Sequence, residues 1–191
     1  METIGIEGHW LTGVRRSHSP NQDSRPVPAT EIDLLVIHGI SLPPGNFGGP
    51  YIEQVFCNQL NPGAHPYFGN ISHLRLSAHL VIYRSGETLQ FVPFDKRAWH
   101  AGESQYLGRT GCNDFSLGIE LEGADDIPYS DAQYLNLAEI TETLFRHYPR
   151  VCPGRIVAHS DVSPGRKTDP GPSFDWSRYR SLLRKYRPSL S

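Results

Sequence analysis

Two histidines and one aspartate stand where the chain can aim them at a common point. His38 closes the apolar run Leu35-Val36-Ile37, and His159 closes Ile156-Val157-Ala158, so each imidazole sits where a strand gives way to a loop. A single histidine in such a place is more often a hydrogen-bonded core residue than a ligand. Asp169 changes the weighting. Pro170 follows it and biases it toward an extended backbone, which gives the carboxylate a defined direction. Two imidazole nitrogens and one carboxylate oxygen make a zinc set with a position left for water, the arrangement of catalytic rather than structural sites. Such a centre activates water near neutral pH.

Lys167 lies two residues before Asp169. In an extended segment i and i+2 share a side, so a cleft faced by Asp169 is faced by Lys167 as well. A lysine there can steady an oxyanion; the competing reading is a solvated side chain. In "SLGIELEG", Leu117, Ile119 and Leu121 share one face, and Gly118, Glu120 and Glu122 share the other. Two carboxylates opposite an apolar face usually mark a solvated surface. Gly118, however, leaves room beside Glu120 for a ligand or a backbone to approach. A glutamate near zinc can act as general base, and strand parity does not choose between Glu120 and Glu122.

The elements that must position these groups follow from periodicity. "DLLVIHG" (Asp33–Gly39) reads as a buried central strand. Residues 41–70 are rich in Gly and Pro, with one short helix expected over Tyr51–Leu60, and are expected to form the more mobile wall of a cleft. "AHLVIYR" and "TLQFVPF" form a hairpin about Ser85-Gly86-Glu87. A helix over Asp131–Tyr148 places Tyr134, Leu135, Leu137, Ala138, Thr141, Leu144, Phe145 and Tyr148 in one stripe, with Ser130 or Asp131 as its cap and Pro149 as its stop. "GRIVAHSD" is a further strand and "FDWSRYRSLLRKY" a closing helix. The segment "HSDVSPGRKTDPGPSFDW", with its three prolines, is expected to hold no regular element. Residues 1–32 read as an extended arm or loop, ahead of a catalytic core at about 33–187. The order predicts a single α/β domain with one mixed sheet flanked by helices.

Composition narrows the class. A chain of 191 residues suits one domain with a real core. A net charge of −2 gives no field that would draw nucleic acid or an anionic membrane. The three cysteines, Cys57, Cys112 and Cys152, are too few and too scattered for a disulfide framework, and are expected as small, reduced core residues. The N-terminus lacks the basic region and apolar run of a secretory signal, and no stretch approaches a membrane span. The expectation is a cytoplasmic protein.

The blocks "VIHGISLPPGNFGG", "HPYFGNISHLRLSAH", "VPFDKRAWHAG", "CNDFSLGIELEG" and "RKTDPGPSFDW" resemble the AmpD family of cytosolic bacterial N-acetylmuramoyl-L-alanine amidases, in order and over nearly the whole chain. The resemblance implies the fold of peptidoglycan recognition proteins and type 2 amidases. It implies one Zn2+ on His38, His159 and Asp169, with Glu120 as proton acceptor and Lys167 as transition-state stabiliser. It implies hydrolysis of the amide between the lactyl group of 1,6-anhydro-N-acetylmuramic acid and L-alanine, in peptidoglycan recycling and in the control of β-lactamase induction. The partner is then a small muropeptide, with no nucleic acid, membrane or obligate protein partner. Arg75 resembles a position facing the anionic stem peptide, and Trp99 and His100 are placed at the sugar end of the cleft. The chain departs from the family pattern at Gly39 and Gly111, where Asn and a basic residue are common. A non-catalytic peptidoglycan-binding module and an exported lytic amidase are the rival readings. The first generally lacks a complete zinc set, and the second needs an export signal or a wall-binding module.

Overall fold

The structure, a computed structural model, describes residues 4–186. Its first residues are wrapped onto the body rather than extended away from it. β1 (Ile6–Glu7) and β2 (Trp10–Leu11) form a small hairpin, β3 (Arg15–Arg16) lies on the edge of the main sheet, and β4 (Gln22–Ser24) forms a separate ribbon with a later strand. Leu11 and Ile32 are fully buried in the main core, so the core begins well before residue 33. Its expected end at residue 187 lies outside the described residues.

β5 (Leu34–Ile40) is the expected central strand. α1 (Tyr51–Phe56) is shorter than its sequence suggested, because the backbone turns left-handed at Asn58, with φ of 58°, and ends the helix. There follow β6 (Leu80–Ile82), β7 (Thr88–Gln90), β8 (Lys96–Ala98), β9 (Gln105–Tyr106), β10 (Arg109–Thr110) and β11 (Ser116–Glu122). Then come α2 (Asp131–His147), β12 (Ile156–Ala158), α3 (His159–Val162) and α4 (Trp176–Tyr186). α3 corrects the expectation of an irregular segment after β12. The Asp161 carboxylate accepts from the Ala158 N–H at 2.8 Å and starts a single turn, which ends before Pro164.

The main sheet has the order β12-β5-β11-β6-β7-β3. β12, β5, β11 and β6 run parallel, whereas β7 is antiparallel to β6 and parallel to β3. α2 and α4 cover one face, against Leu35, Ile37, Leu117, Ile119 and Leu121. Ser130 and Gln133 close a reciprocal capping box at the start of α2, with bonds of 3.2 and 3.0 Å. Leu135, expected in the buried stripe, is 51% exposed, because it falls one position off the ladder Tyr134, Leu137, Ala138, Thr141, Leu144.

The opposite face is covered by loops and short helices. Ile52, Val55 and Phe56 of α1 pack on Val81 and Leu89, while Val162 of α3 joins Leu34, Val36, Ala101, Cys112 and Phe115. Both faces of β11 are therefore buried, and the face bearing Glu120 and Glu122 is not the solvated one that alternation suggested. All three cysteines are free; Cys112 is buried, whereas Cys57 and Cys152 are only half-buried.

Candidate active site

Strand register brings the chemical groups together. Glu120 of β11 is the parallel-ladder partner of His38 of β5, and Ala158 of β12 pairs with Ile37, so His159 emerges beside His38. The groups meet at the carboxyl ends of adjacent parallel strands, where open α/β sheets bind their ligands. His38 Nδ1 lies 2.9 Å from His159 Nδ1 and 3.4 Å from Asp169 Oδ2, and His159 Nδ1 lies 3.0 Å from the same oxygen. Tetrahedral zinc, with bonds of about 2.0–2.1 Å, sets its donors about 3.3 Å apart. The three donors fit a cation at their centre with small adjustments.

Electrostatics suits the same occupant. Burial pushes the His38 imidazole down to about 4 despite the opposing pull of Asp169, so it is neutral and its lone pair is available at ordinary pH. Burial also opposes ionisation of Asp169, but the adjoining His159 and His38 imidazoles outweigh it and hold the carboxyl well below its usual range. A neutral His38 imidazole and an ionised Asp169 carboxylate, with His159 beside them, form a donor set suited to a cation. Glu120 Oε1 is 3.9 Å from His38 Nδ1, and Glu120 Oε2 is buried without a partner. Burial, reinforced by the negative charge of Asp169 and offset in part by Lys167, raises this carboxyl well above the carboxylate range.

The cluster opens into a cleft of about 710 Å³. Lys167 is exposed on its wall beside Asp169. Half-buried Trp99 and exposed Arg75 also line it, and the Arg75 guanidinium donates to the carbonyls of His73 and Leu74 rather than to an acid. Leu42, Tyr67 and Ile71 make the apolar wall. Glu122 faces the same side as Glu120 but is occupied elsewhere, accepting from the N–H groups of Gly48 at 2.5 Å and Arg84 at 3.1 Å.

Sequence reasoning missed several supporting groups. His100, expected at the sugar end, has its ring buried behind the metal-ligand cluster, 2.9 Å from His38 Nε2. The space that Gly118 leaves is filled by this ring, since a Cβ there would overlap it. Tyr129 donates to the Pro170 carbonyl at 2.9 Å and braces the turn carrying Asp169. A Cβ at Gly39 would collide with the Tyr129 hydroxyl, which gives a steric reason for glycine after the first histidine. Glycines at these strand positions were the signals that something bulky approaches; only the fold reveals what.

The family model described as N-acetylmuramoyl-L-alanine amidase matches residues 28–172. The 1,6-anhydro-N-acetylmuramyl-L-alanine amidase AmpD of Escherichia coli (strain K12) is 56% identical over 180 residues, covering 94% of this chain and 97% of that one. The crystal structure of a Se-Met AmpD derivative superimposes with a TM-score of 0.90 at 54% identity, covering 93% of this chain and 98% of its own. A more distant solved structure is the E. coli amidase AmiD in complex with anhydro-N-acetylmuramic acid-L-Ala-D-gamma-Glu-L-Lys. It has a TM-score of 0.59 and 25% identity over 94% of this chain and 65% of that one.

Proposed function

The chain belongs to the N-acetylmuramoyl-L-alanine amidase family, and from that premise we propose that it hydrolyses the amide between the lactyl group of 1,6-anhydro-N-acetylmuramic acid and L-alanine. The observation that carries this reading is the convergence of His38, His159 and Asp169 beside the unpartnered Glu120, in a chain similar to AmpD along nearly its full length. His38 Nδ1, His159 Nδ1 and Asp169 Oδ2 are the atoms that would hold Zn2+. When bound, zinc supplies Lewis acidity, polarising the scissile carbonyl and lowering the pKa of water to about 7.

The remaining chemistry belongs to side chains. Glu120 takes the proton of the attacking water into a buried site where a protonated carboxyl is favoured, then returns it to the departing alanine nitrogen. Lys167 reaches from the cleft wall to the oxygen on which negative charge develops. Arg75 takes a carboxylate of the stem peptide, and Trp99 packs against the sugar. The protein acts as a single domain, 1–191, on a small muropeptide in cytoplasmic peptidoglycan recycling, and lowers the muropeptide signal that induces β-lactamase. No helix among the described residues is long and apolar enough to cross a membrane.

Incubation with a defined anhydromuropeptide, followed by mass analysis, should yield free peptide and 1,6-anhydro-N-acetylmuramic acid. A strong chelator should stop the reaction and added Zn2+ restore it. An uncleaved amide, or unimpaired cleavage in metal-free protein, overturns the reading.

A further inference from the structure

Proton positions on the two ligand histidines can be deduced from two backbone carbonyls. The Ser116 hydroxyl lies 2.6 Å from the Cys112 carbonyl, which can only accept, so the hydroxyl proton points there. Ser116 Oγ is then left to accept from His100 Nε2–H at 3.1 Å. A neutral imidazole carries one proton, so His100 Nδ1 is bare and accepts from His38 Nε2–H at 2.9 Å. His38 Nδ1 is consequently bare and faces His159 and Asp169. In parallel, His159 Nε2 lies 3.2 Å from the Ala101 carbonyl, which again can only accept, so His159 Nδ1 is bare as well.

The groups that impose this order are adjacent in sequence and share a support. The backbone N–H groups of His100 and Ala101 both donate to one oxygen, Asn113 Oδ1, at 3.1 and 2.8 Å. Asn113 and Cys112 belong to one turn, Cys112–Asp114, whose Asn113 and Asp114 carbonyls are gripped by the half-buried Arg25 at 2.8 and 3.2 Å. Gly118 supplies the gap that admits the His100 ring.

We infer that Asn113 and His100 are positioning residues for the metal centre: through the His100-Ala101 dipeptide, the Cys112–Asp114 turn holds both ligand histidines with the proton on Nε2 and the lone pair of Nδ1 toward the cation. The inference rests on the zinc reading of His38, His159 and Asp169. Outer partners of this kind typically change metal affinity about 10–100-fold when removed.

The test is Zn2+ competition against a chromophoric chelator on the full chain, with ring 1H–15N spectra of the zinc-loaded protein. Asn113→Ala and His100→Phe should each weaken zinc about 10–100-fold. Asn113→Asp, which keeps an acceptor at Oδ1, should stay close to wild type. Wild-type spectra should show slowly exchanging Nε2 protons on His38 and His159, with that of His38 losing protection in His100→Phe. Unchanged affinity in both disruptive variants overturns the inference and leaves the zinc reading intact. So does an Asn113→Asp protein as weak as Asn113→Ala, or an Nδ1 proton on either ligand. A wild-type protein that takes up no zinc instead overturns the reading beneath it, and the inference with it. Should Asn113→Ala fail to fold, the wild-type spectra and His100→Phe decide.

Discussion

Glu120 and Glu122 point to the same side of β11, and both are buried. Their surroundings differ completely. Glu122 accepts two backbone N–H groups, one from Gly48 in the loop after β5 and one from Arg84 in the β6–β7 turn. The Arg84 guanidinium in turn lies 4.5 Å from the Phe47 ring centroid. Glu122 thus ties the loop after β5 and the β6–β7 turn to the sheet. Glu120 has an oxygen with no partner and sits beside the unneutralised Asp169. An unsatisfied buried oxygen costs free energy that natural folds seldom leave uncompensated. Burial therefore does not separate a structural carboxylate from a reactive one, whereas the inventory of hydrogen-bond partners does.

The comparison breaks most completely if the proposed cation site beside Glu120 is destroyed. His38→Ala, His159→Ala and Asp169→Ala should each abolish stoichiometric zinc and turnover, measured by metal analysis and product release. Retained activity in a zinc-free variant would remove the reason for Glu120's isolation.

Next in size, Glu120→Ala should keep zinc and lose rate by about 10²–10⁴. Glu122→Ala should lose far less rate. It should instead lose stability, by about 1–3 kcal/mol, because two N–H groups lose their acceptor. Denaturant midpoints and steady-state rates on both variants test the contrast; a reversed pattern would exchange the two roles. Hydrogen exchange at residues 41–50 should also accelerate in Glu122→Ala.

Lys167 sharpens the comparison from the solvent side. It is exposed, so Lys167→Ala should leave stability and zinc unchanged. With the proposed contribution confined to the transition state, kcat should fall about 10²–10³-fold with KM nearly constant. A raised KM with unchanged kcat would reassign Lys167 to gripping a substrate carboxylate.

The smallest effect concerns the metal-free protein. Folding takes His38 from 6.5 down to about 4, so the folded state binds fewer protons than the unfolded chain between those values. The stabilising contribution of neutral His38 is complete above about 6.5 and is lost as pH falls toward 4. Urea midpoints of metal-free protein should decline across that window, and a flat profile would contradict the buried, neutral histidine.

Much of the frame was legible because it rests on local periodicity. β5 opens on the unbroken apolar run Leu34-Leu35-Val36-Ile37, and α2 carries both its stripe and its Ser130 cap. The N-terminal strands were not legible, since β1, β2 and β3 are two residues long and leave no alternation to detect. The convergence of His38, His159 and Asp169 could be read from residue type, strand ends and the proline after Asp169. The split between Glu120 and Glu122 could not, because parity is identical and the partners of Glu122 come from distant loops. The inward contacts of His100 were illegible for the same reason. Trp99 and His100 both line the cleft, and the His100 ring fills a gap that only the β11 backbone reveals.

The spacing of the ligands along the chain has a consequence for folding. His38 and His159 are 121 residues apart in sequence yet 2.9 Å apart in space, on strands joined only by parallel pairing. Parallel ladders of this range close late, because the chain loses loop entropy before the contacts form. The proposed cation, held by β5 and the residues after β12, would then be a removable cross-link across long-range pairing in the sheet. A ligand that binds the folded chain and not the open one, at a thousandfold excess over Kd, deepens the native well by about 4.1 kcal/mol. Starving the protein of metal should therefore do more than silence it. It should shorten the lifetime of the fold itself, so that metal supply sets how much of the protein persists.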